Sequence, residues 1–265
     1  MEKAIVTIPL YKTALSNYEM LSLKRSLNIL GSHPFAIICP EGLDLSPLQS
    51  LLDTVKHEIK TFDPNYFKGL EGYNRLMLSE ELYSSFANYE YILICQTDVY
   101  VFEDKLEYWC NKGYDYIGAP WIASKQNFFK KLELTIKNLV KKKKKNTDHF
   151  FKVGNVGFSL RKTETMMRIV TAQKDKIEYA LQHRDERNYH IEDVYFSMAA
   201  PQYTDMKIPG YMEAVDFAMD RKPEIAYKLN DKKLPFGCHR FFNKNVDKFW
   251  LPIIDKIENF EVPSL

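Results

Sequence analysis

The sequence is short of the features that would place it in a specialised class. No uninterrupted apolar run approaches the ~20 residues needed to cross a bilayer, so a spanning helix is not expected. The opening stretch MEKAIVTIPLYKTALSNYEM has neither the apolar core nor the small-residue cleavage site of a secretory leader, and predicts a soluble or at most peripheral protein. Cysteines are few: Cys39, Cys95, Cys110 and Cys238 are scattered without metal-type pairing. Cys39 and Cys95 fall inside apolar segments where the thiol acts as a small hydrophobe, so a reducing cytoplasmic setting is expected. One-signed charge is lacking too. With 37 basic and 35 acidic residues the formal net charge is only +2, and no global field argues for a nucleic-acid partner. Internal repeats and Gly/Ser/Pro linkers are absent.

What remains is a 265-residue chain, 45% hydrophobic and 14% aromatic, enough to bury a large core in one α/β domain. Apolar runs of strand length alternate with helical patterns. AIVTIP (4–9) and FAIICP (35–40) predict buried strands, with an amphipathic helix over residues 15–30 between them. Ser46 reads as the cap of a short helix with Pro47 at its first position, and HEIKTF (57–62) returns as a half-alternating strand. A helix over 73–86 then leads into the apolar YILICQ. Continuous apolar strands separated by helices imply a parallel sheet covered on both faces. Beyond it, DYIGAPW (115–121) and VGNVGFSL (153–160) predict two more strands, with helices at 162–182 and 191–199.

In such sheets ligands gather at the carboxyl ends of the strands. Asp98, in CQTDVYVF, stands where the YILIC strand runs out, followed by Glu103 and Asp104. A carboxylate there suits a hard divalent cation whose open positions take phosphate oxygens, although a lone Asp also serves as a helix cap. Gly154 and Gly157 around Asn155 permit close ligand approach or mark a bulge. Glu192 and Asp193 stand at a helix start, where acids also simply cap. His239 and Arg240 follow a Pro-Phe-Gly turn that could aim the histidine, or the histidine is structural.

In their order and separations, Gln96-Thr97-Asp98, the Gly154-to-Arg161 block, Glu192-Asp193-Val194-Tyr195-Phe196 and Pro235-Phe236-Gly237-Cys238-His239 resemble bacterial glycosyltransferases of the GT-A fold. The likeness, over residues 4–242, is nearest to an uncharacterised DUF5672-like group with QxDxxVF in place of a full DxD motif. It implies a mostly parallel, Rossmann-like sheet flanked by helices, in a single domain. Residues 1–104 would bind the nucleotide-sugar; residues 105–265 would complete the metal and acceptor sites, with a basic insertion at 125–150. It implies a metal-dependent, inverting hexosyltransferase acting on a UDP-sugar, with Mn²⁺ or Mg²⁺ held by Asp98 and His239 and with Asp193 as general base, Glu192 being the alternative. Gln96 stands where the first acid of the motif would be, supplying hydrogen bonds but no charge. Thr7, Pro9, Tyr11, Asn74, Arg75, Gln96, Thr97, Asp98 and Arg240 would line the donor. Trp121, Gly154, Asn155, Gly157 and Phe158 would line the acceptor and donor sugar, with core packing equally open for Trp121.

Two rivals remain at this level. A nucleotidyltransferase would be expected to carry a glycine-rich basic loop after the first strand, which IPLYKTALSN lacks. A non-catalytic sugar- or nucleotide-binding descendant fits the Gln96 substitution. The segment KKLELTIKNLVKKKKKNTDH ends in Lys141, Lys142, Lys143, Lys144 and Lys145. It reads either as a solvated insertion or as a contact with anionic lipid at the inner face of the plasma membrane, which would favour a lipid-linked glycan acceptor.

Overall fold

The computed structural model describes residues 1–123, 149–154, 157–183 and 192–261. Its strands are β1 (Glu2–Pro9), β2 (Phe35–Pro40), β3 (His57–Phe62), β4 (Tyr89–Cys95), β5 (Val99–Val101), β6 (Tyr116–Gly118), β7 (Phe158–Lys162), β8 (Ala218–Met219) and β9 (Gly237–His239). Six of them form one sheet in the order β3-β2-β1-β4-β7-β6. The first four in that order run parallel and β7 is antiparallel to both β4 and β6, so the sheet is mostly parallel, as the resemblance implies.

The continuous apolar runs follow from burial on both faces. Along β1 and β4, Val6, Ile8, Tyr91 and Leu93 join one apolar cluster, while Ile5, Ile92 and Ile94 join the cluster on the opposite face. β3 lies at the edge and leaves Ile59 exposed, which is why its sequence only half alternates.

The first helix spans Asn17–Ile29 and starts on a capping box: the Glu19 amide donates to Ser16 Oγ at 3.3 Å, and the Ser16 amide donates to Glu19 Oε2 at 2.7 Å. Other helices are shorter than their apolar patterns predict. The 73–86 pattern resolves into Gly69–Met77 and Glu80–Ser84, because Ser79 turns extended and caps the second piece through the Leu82 amide. The 162–182 pattern divides into Thr163–Ala172 and Lys174–Gln182 at Gln173. Ser46 opens a 3₁₀ turn and is itself held by the Asp44 carboxylate, so it is not the cap.

A second, three-stranded sheet in the order β5-β9-β8 sits beside the first. Its β5 edge is closed by the first helix. Ser22 donates to the Val99 carbonyl, and Arg25 Nε and Nη2 donate to the Val101 and Phe102 carbonyls at 2.9 and 3.2 Å. Two buried polar residues on that helix thus satisfy backbone acceptors that an edge strand would leave bare. Tyr100, Met219, Cys238, Phe241 and Trp250 pack the small sheet into a third apolar cluster with the C-terminal helix, Asp247–Glu261. Among the described residues no helix is long and apolar enough to cross a membrane.

Candidate functional site

The small sheet brings together three side chains that are far apart in sequence. β5 and β9 are antiparallel with Val99 opposite His239, so Asp98 meets Arg240, whose amide donates to the Asp98 carbonyl at 2.7 Å. β8 and β9 are parallel with Met219 opposite Cys238, which carries Asp220 to the level of His239. His239 Nε2 lies 3.2 Å from Asp98 Oδ1, and its Nδ1 lies 3.4 Å from Asp220 Oδ1. The main sheet adds the wall: the Gln96 amide, just past β4, donates to the Gly157 carbonyl at 2.9 Å. A Cβ on Gly157 would fall 2.0 Å from His239 Nε2, so only glycine lets the imidazole sit there.

The electrostatics follow from this packing. Burial alone would lower the His239 pKa, but the Asp98 charge and the Asp220 carboxylate overcome it and hold the imidazole at about 9. Burial raises Asp98, and the His239 charge with that of Arg240 outweighs it, leaving the carboxyl below its usual range. Asp98 Oδ1 and His239 Nδ1 are buried with no aligned hydrogen bond among the described residues.

Asp98 Oδ1 and His239 Nε2 fit a hard divalent ion. Two ligands at right angles around an octahedral ion, each ~2.0–2.1 Å from it, sit about 3 Å apart, close to the separation of Asp98 Oδ1 and His239 Nε2. Among the described residues, no group of three or more His, Cys, Asp or Glu forms a ready-made cage. Two protein ligands, with the remaining positions open to water and phosphate oxygens, are the usual pattern for ions that work on nucleotides.

Asp193 lies in the single helical turn Glu192–Val194, which runs on into a π-helical turn, Tyr195–Ala199. Its pKa is raised to about 7, first by burial, then by the Glu192 charge, with Asp220 adding to the shift. Asp193 is therefore within electrostatic reach of the His239 cluster. Glu192 beside it is fully buried and ion-paired at 2.9 Å to Arg161, itself fully buried. Arg161 also donates to Ser159 Oγ and Tyr83 Oη, and Asn74 Oδ1 accepts the Glu192 amide. A guanidinium does not release its proton, and it works against the burial that raises the Glu192 pKa, in a pair sealed from substrate.

The remaining expected residues divide. Pro9 closes β1 at the rim and Tyr11 beyond it is exposed. Gln96 and Thr97 are half-buried beside Asp98, and Arg240 is exposed there with φ 59°. Trp121 is half-buried and lies so close to Gly154 that a Cβ there would fall 2.1 Å from its ring. Others are occupied elsewhere. Thr7 is fully buried with its hydroxyl on the Leu93 carbonyl, Arg75 is ion-paired to Glu178 and Glu71 on the outside, and Asn74 holds Glu192. Phe158 stacks on Phe217 and meets Phe236 edge to face in the core, and forms no floor for a sugar. Asn155 and Lys141 to Lys145 lie outside the described residues.

Two participants escaped the sequence reading. Asp220, in FAMDRK, follows a short apolar strand just as Asp98 does, and the same rule would have found it. Arg161 carried no such signal, because a lysine-flanked arginine ending a strand looks like a surface residue. A cavity of about 500 Å³ lined by Ser32, His33, Asp104 and Asp216, among others, shares no residue with this rim.

A family model described as "Protein of unknown function (DUF5672)" matches residues 56–239. No curated protein matches the chain. Among solved structures, core-mannan synthase A (CmsA/Ktr4) from Aspergillus fumigatus, in its Mn/GDP form, is similar with a TM-score of 0.50 at 9% identity, over 74% of this chain and 70% of that one. A glycosyltransferase involved in the glycosylation of the major capsid of PBCV-1 gives 0.48 at 10% identity, over 93% of this chain and 96% of that one. The shared architecture is the GT-A-like fold, a mostly parallel sheet flanked by helices.

Proposed function

The chain belongs to the DUF5672 family, and we propose that it is a glycosyltransferase moving a sugar from a nucleoside-diphosphate sugar, of the UDP-sugar class, to a hydroxyl of a glycan or lipid-linked glycan with inversion. One observation carries the reading. A carboxylate and an imidazole meet beside the carboxyl end of β4, and a second carboxylate of raised pKa, Asp193, feels the charge of Asp220, the acid on the other nitrogen of that imidazole.

In this reading the diphosphate of the donor lies over the rim, with the nucleoside toward Pro9 and Tyr11 at the end of β1 and the Arg240 guanidinium on the phosphates. Asp98 and His239 hold the Mn²⁺ or Mg²⁺. Bound there, the ion offsets negative charge on the departing diphosphate. The Mn/GDP form of the Aspergillus protein, which shares the fold, holds ligands of the same chemical class. Gln96 takes the place of the first acid of a DxD motif and offers an amide to the donor's ribose or sugar. Asp193 accepts the proton of the acceptor hydroxyl as that oxygen attacks the anomeric carbon and the bond to the diphosphate oxygen breaks. A carboxylate with a pKa near the working pH is well matched to that role, and Glu192, held by Arg161, is not available for it.

The test is turnover of a panel of nucleotide-sugars, with and without Mn²⁺, by the native chain and by Asp98→Ala. Donor cleavage that depends on Mn²⁺ and vanishes in a folded Asp98→Ala is the expected result. Undiminished cleavage by Asp98→Ala would remove the reading, and nucleotide binding with no turnover of any donor would favour a non-catalytic descendant.

A further inference from the structure

We infer that Asp220 is a positioning residue: from behind the ring it holds the proton on His239 Nδ1, so that the nitrogen which gives up its proton to a bound ion is Nε2, on the Asp98 side. The inference rests on the metal-dependent reading above and deepens it.

A neutral imidazole carries one proton on either nitrogen, and which nitrogen carries it is decided by the partner of the other. Here the two nitrogens face different carboxylates, Nε2 toward Asp98 at 3.2 Å and Nδ1 toward Asp220 at 3.4 Å. They point away from one another, so a carboxylate on Nδ1 cannot share an ion bound at Nε2. Asp220 orients the ligand without being one. Histidines that bind metals regularly donate their second N–H to a carboxylate in this way.

Packing leaves the ring no alternative pose. The Asp220 side chain is only 5% exposed, and Gly157 closes on the ring at a distance that excludes even a methyl group. Turning the ring over would set a carbon against Asp220 Oδ1 in place of the nitrogen now 3.4 Å from it. The other carboxylate oxygen of Asp220, Oδ2, lies 3.7 Å from Arg221 Nε, while Oδ1 is the one facing the imidazole. The parallel pairing of β8 and β9 sets this geometry through the backbone, since Asp220 is one residue past the Met219–Cys238 pair.

The experiment titrates Mn²⁺ alone into the native protein, Asp220→Asn, Asp220→Ala, Asp220→Glu, Asp98→Ala and His239→Ala. Free Mn²⁺ is followed by electron paramagnetic resonance, and the coupling of bound Mn²⁺ to a histidine nitrogen by pulsed methods. Asp220→Asn, nearly isosteric, should keep the native melting temperature yet bind Mn²⁺ about 10–100-fold more weakly, with the nitrogen coupling reduced. Asp220→Ala should do the same and Asp220→Glu should recover part of the affinity. Native affinity and coupling in Asp220→Asn and Asp220→Ala, while Asp98→Ala and His239→Ala lose both, would overturn the inference and leave the metal reading intact. Native affinity in Asp98→Ala and His239→Ala would instead overturn the metal reading itself, and this inference with it.

Discussion

Asp193 and Glu192 are adjacent acids whose surroundings drive them apart in role. Glu192 is matched by Arg161 at 2.9 Å, whereas among the described residues Asp193 Oδ1 accepts from the Val194 amide, at 2.7 Å. The charge of the first, after burial, lifts the second to about 7. The activity should therefore fall as pH drops below about 7 and Asp193 becomes protonated. In Glu192→Gln that acidic limb should move to lower pH, and the pH dependence of kcat/KM measures it. Asp193→Asn should lower kcat by roughly 10²–10⁴. The stability effect has the opposite sign. A carboxyl whose folded pKa lies above its unfolded value stabilises the fold when protonated, and that stabilisation is lost as pH rises from about 4 through about 7. At pH 8, then, Asp193→Asn should melt above the native protein while having lost its activity, a pairing expected where a strained group serves function. Asp98 and Asp193 were legible as candidates because acids at strand and helix ends are conspicuous; the sealing of Glu192 was not, because its partner Arg161 is distant in the chain.

At the scale of elements, the site is held by backbone pairing. Asp98, Asp220 and His239 each stand at the end of a very short strand, and three short strands hold position only when both neighbours and the edge are satisfied. Ser22 and Arg25 satisfy that edge from the first helix. The most sensitive position is Gly157, immediately before β7. Gly157→Ala would place a methyl group 2.0 Å from His239 Nε2, and the ring rather than the hydrogen-bonded backbone is the part able to move. Gly157→Ala should abolish Mn²⁺-stimulated donor turnover while costing little secondary structure, as read by activity and circular dichroism together. If Gly157→Ala retains full activity, the imidazole does not need its observed place. The sequence showed the four parallel strands to within about two residues, because burial on both faces writes itself as an apolar run, but placed β7 over 153–160 where it spans Phe158–Lys162. It showed the helices less well, since apolar spacing continues across breaks such as Ser79 and Gln173 that capping and tertiary packing decide.

For the molecule as a whole, near-balanced charge leaves only local fields, and the concentration of lysine at 141–145 is the strongest of them in sequence. We propose that this run draws the protein to anionic lipid on the cytoplasmic face of the membrane, each basic residue contributing about 1 kcal/mol near the surface. Co-sedimentation with phosphatidylserine vesicles should then fall when Lys141 to Lys145 are replaced by Ser; sedimentation indifferent to that change would dismiss the idea. Taken by itself, the sequence determined the sheet, its layering and the rim on which Asp98 stands, because alternation and burial are local patterns that each segment carries. Only the tertiary structure decided which polar residues serve that rim. Pairing of β5, β9 and β8 joined Asp98 and His239 and added Asp220, while packing withdrew Thr7, Arg75, Phe158 and Glu192 into structural work. The physical reason is range: a strand's burial is set by its own side chains, but a side chain's partner is set by packing and strand register between segments distant in the chain.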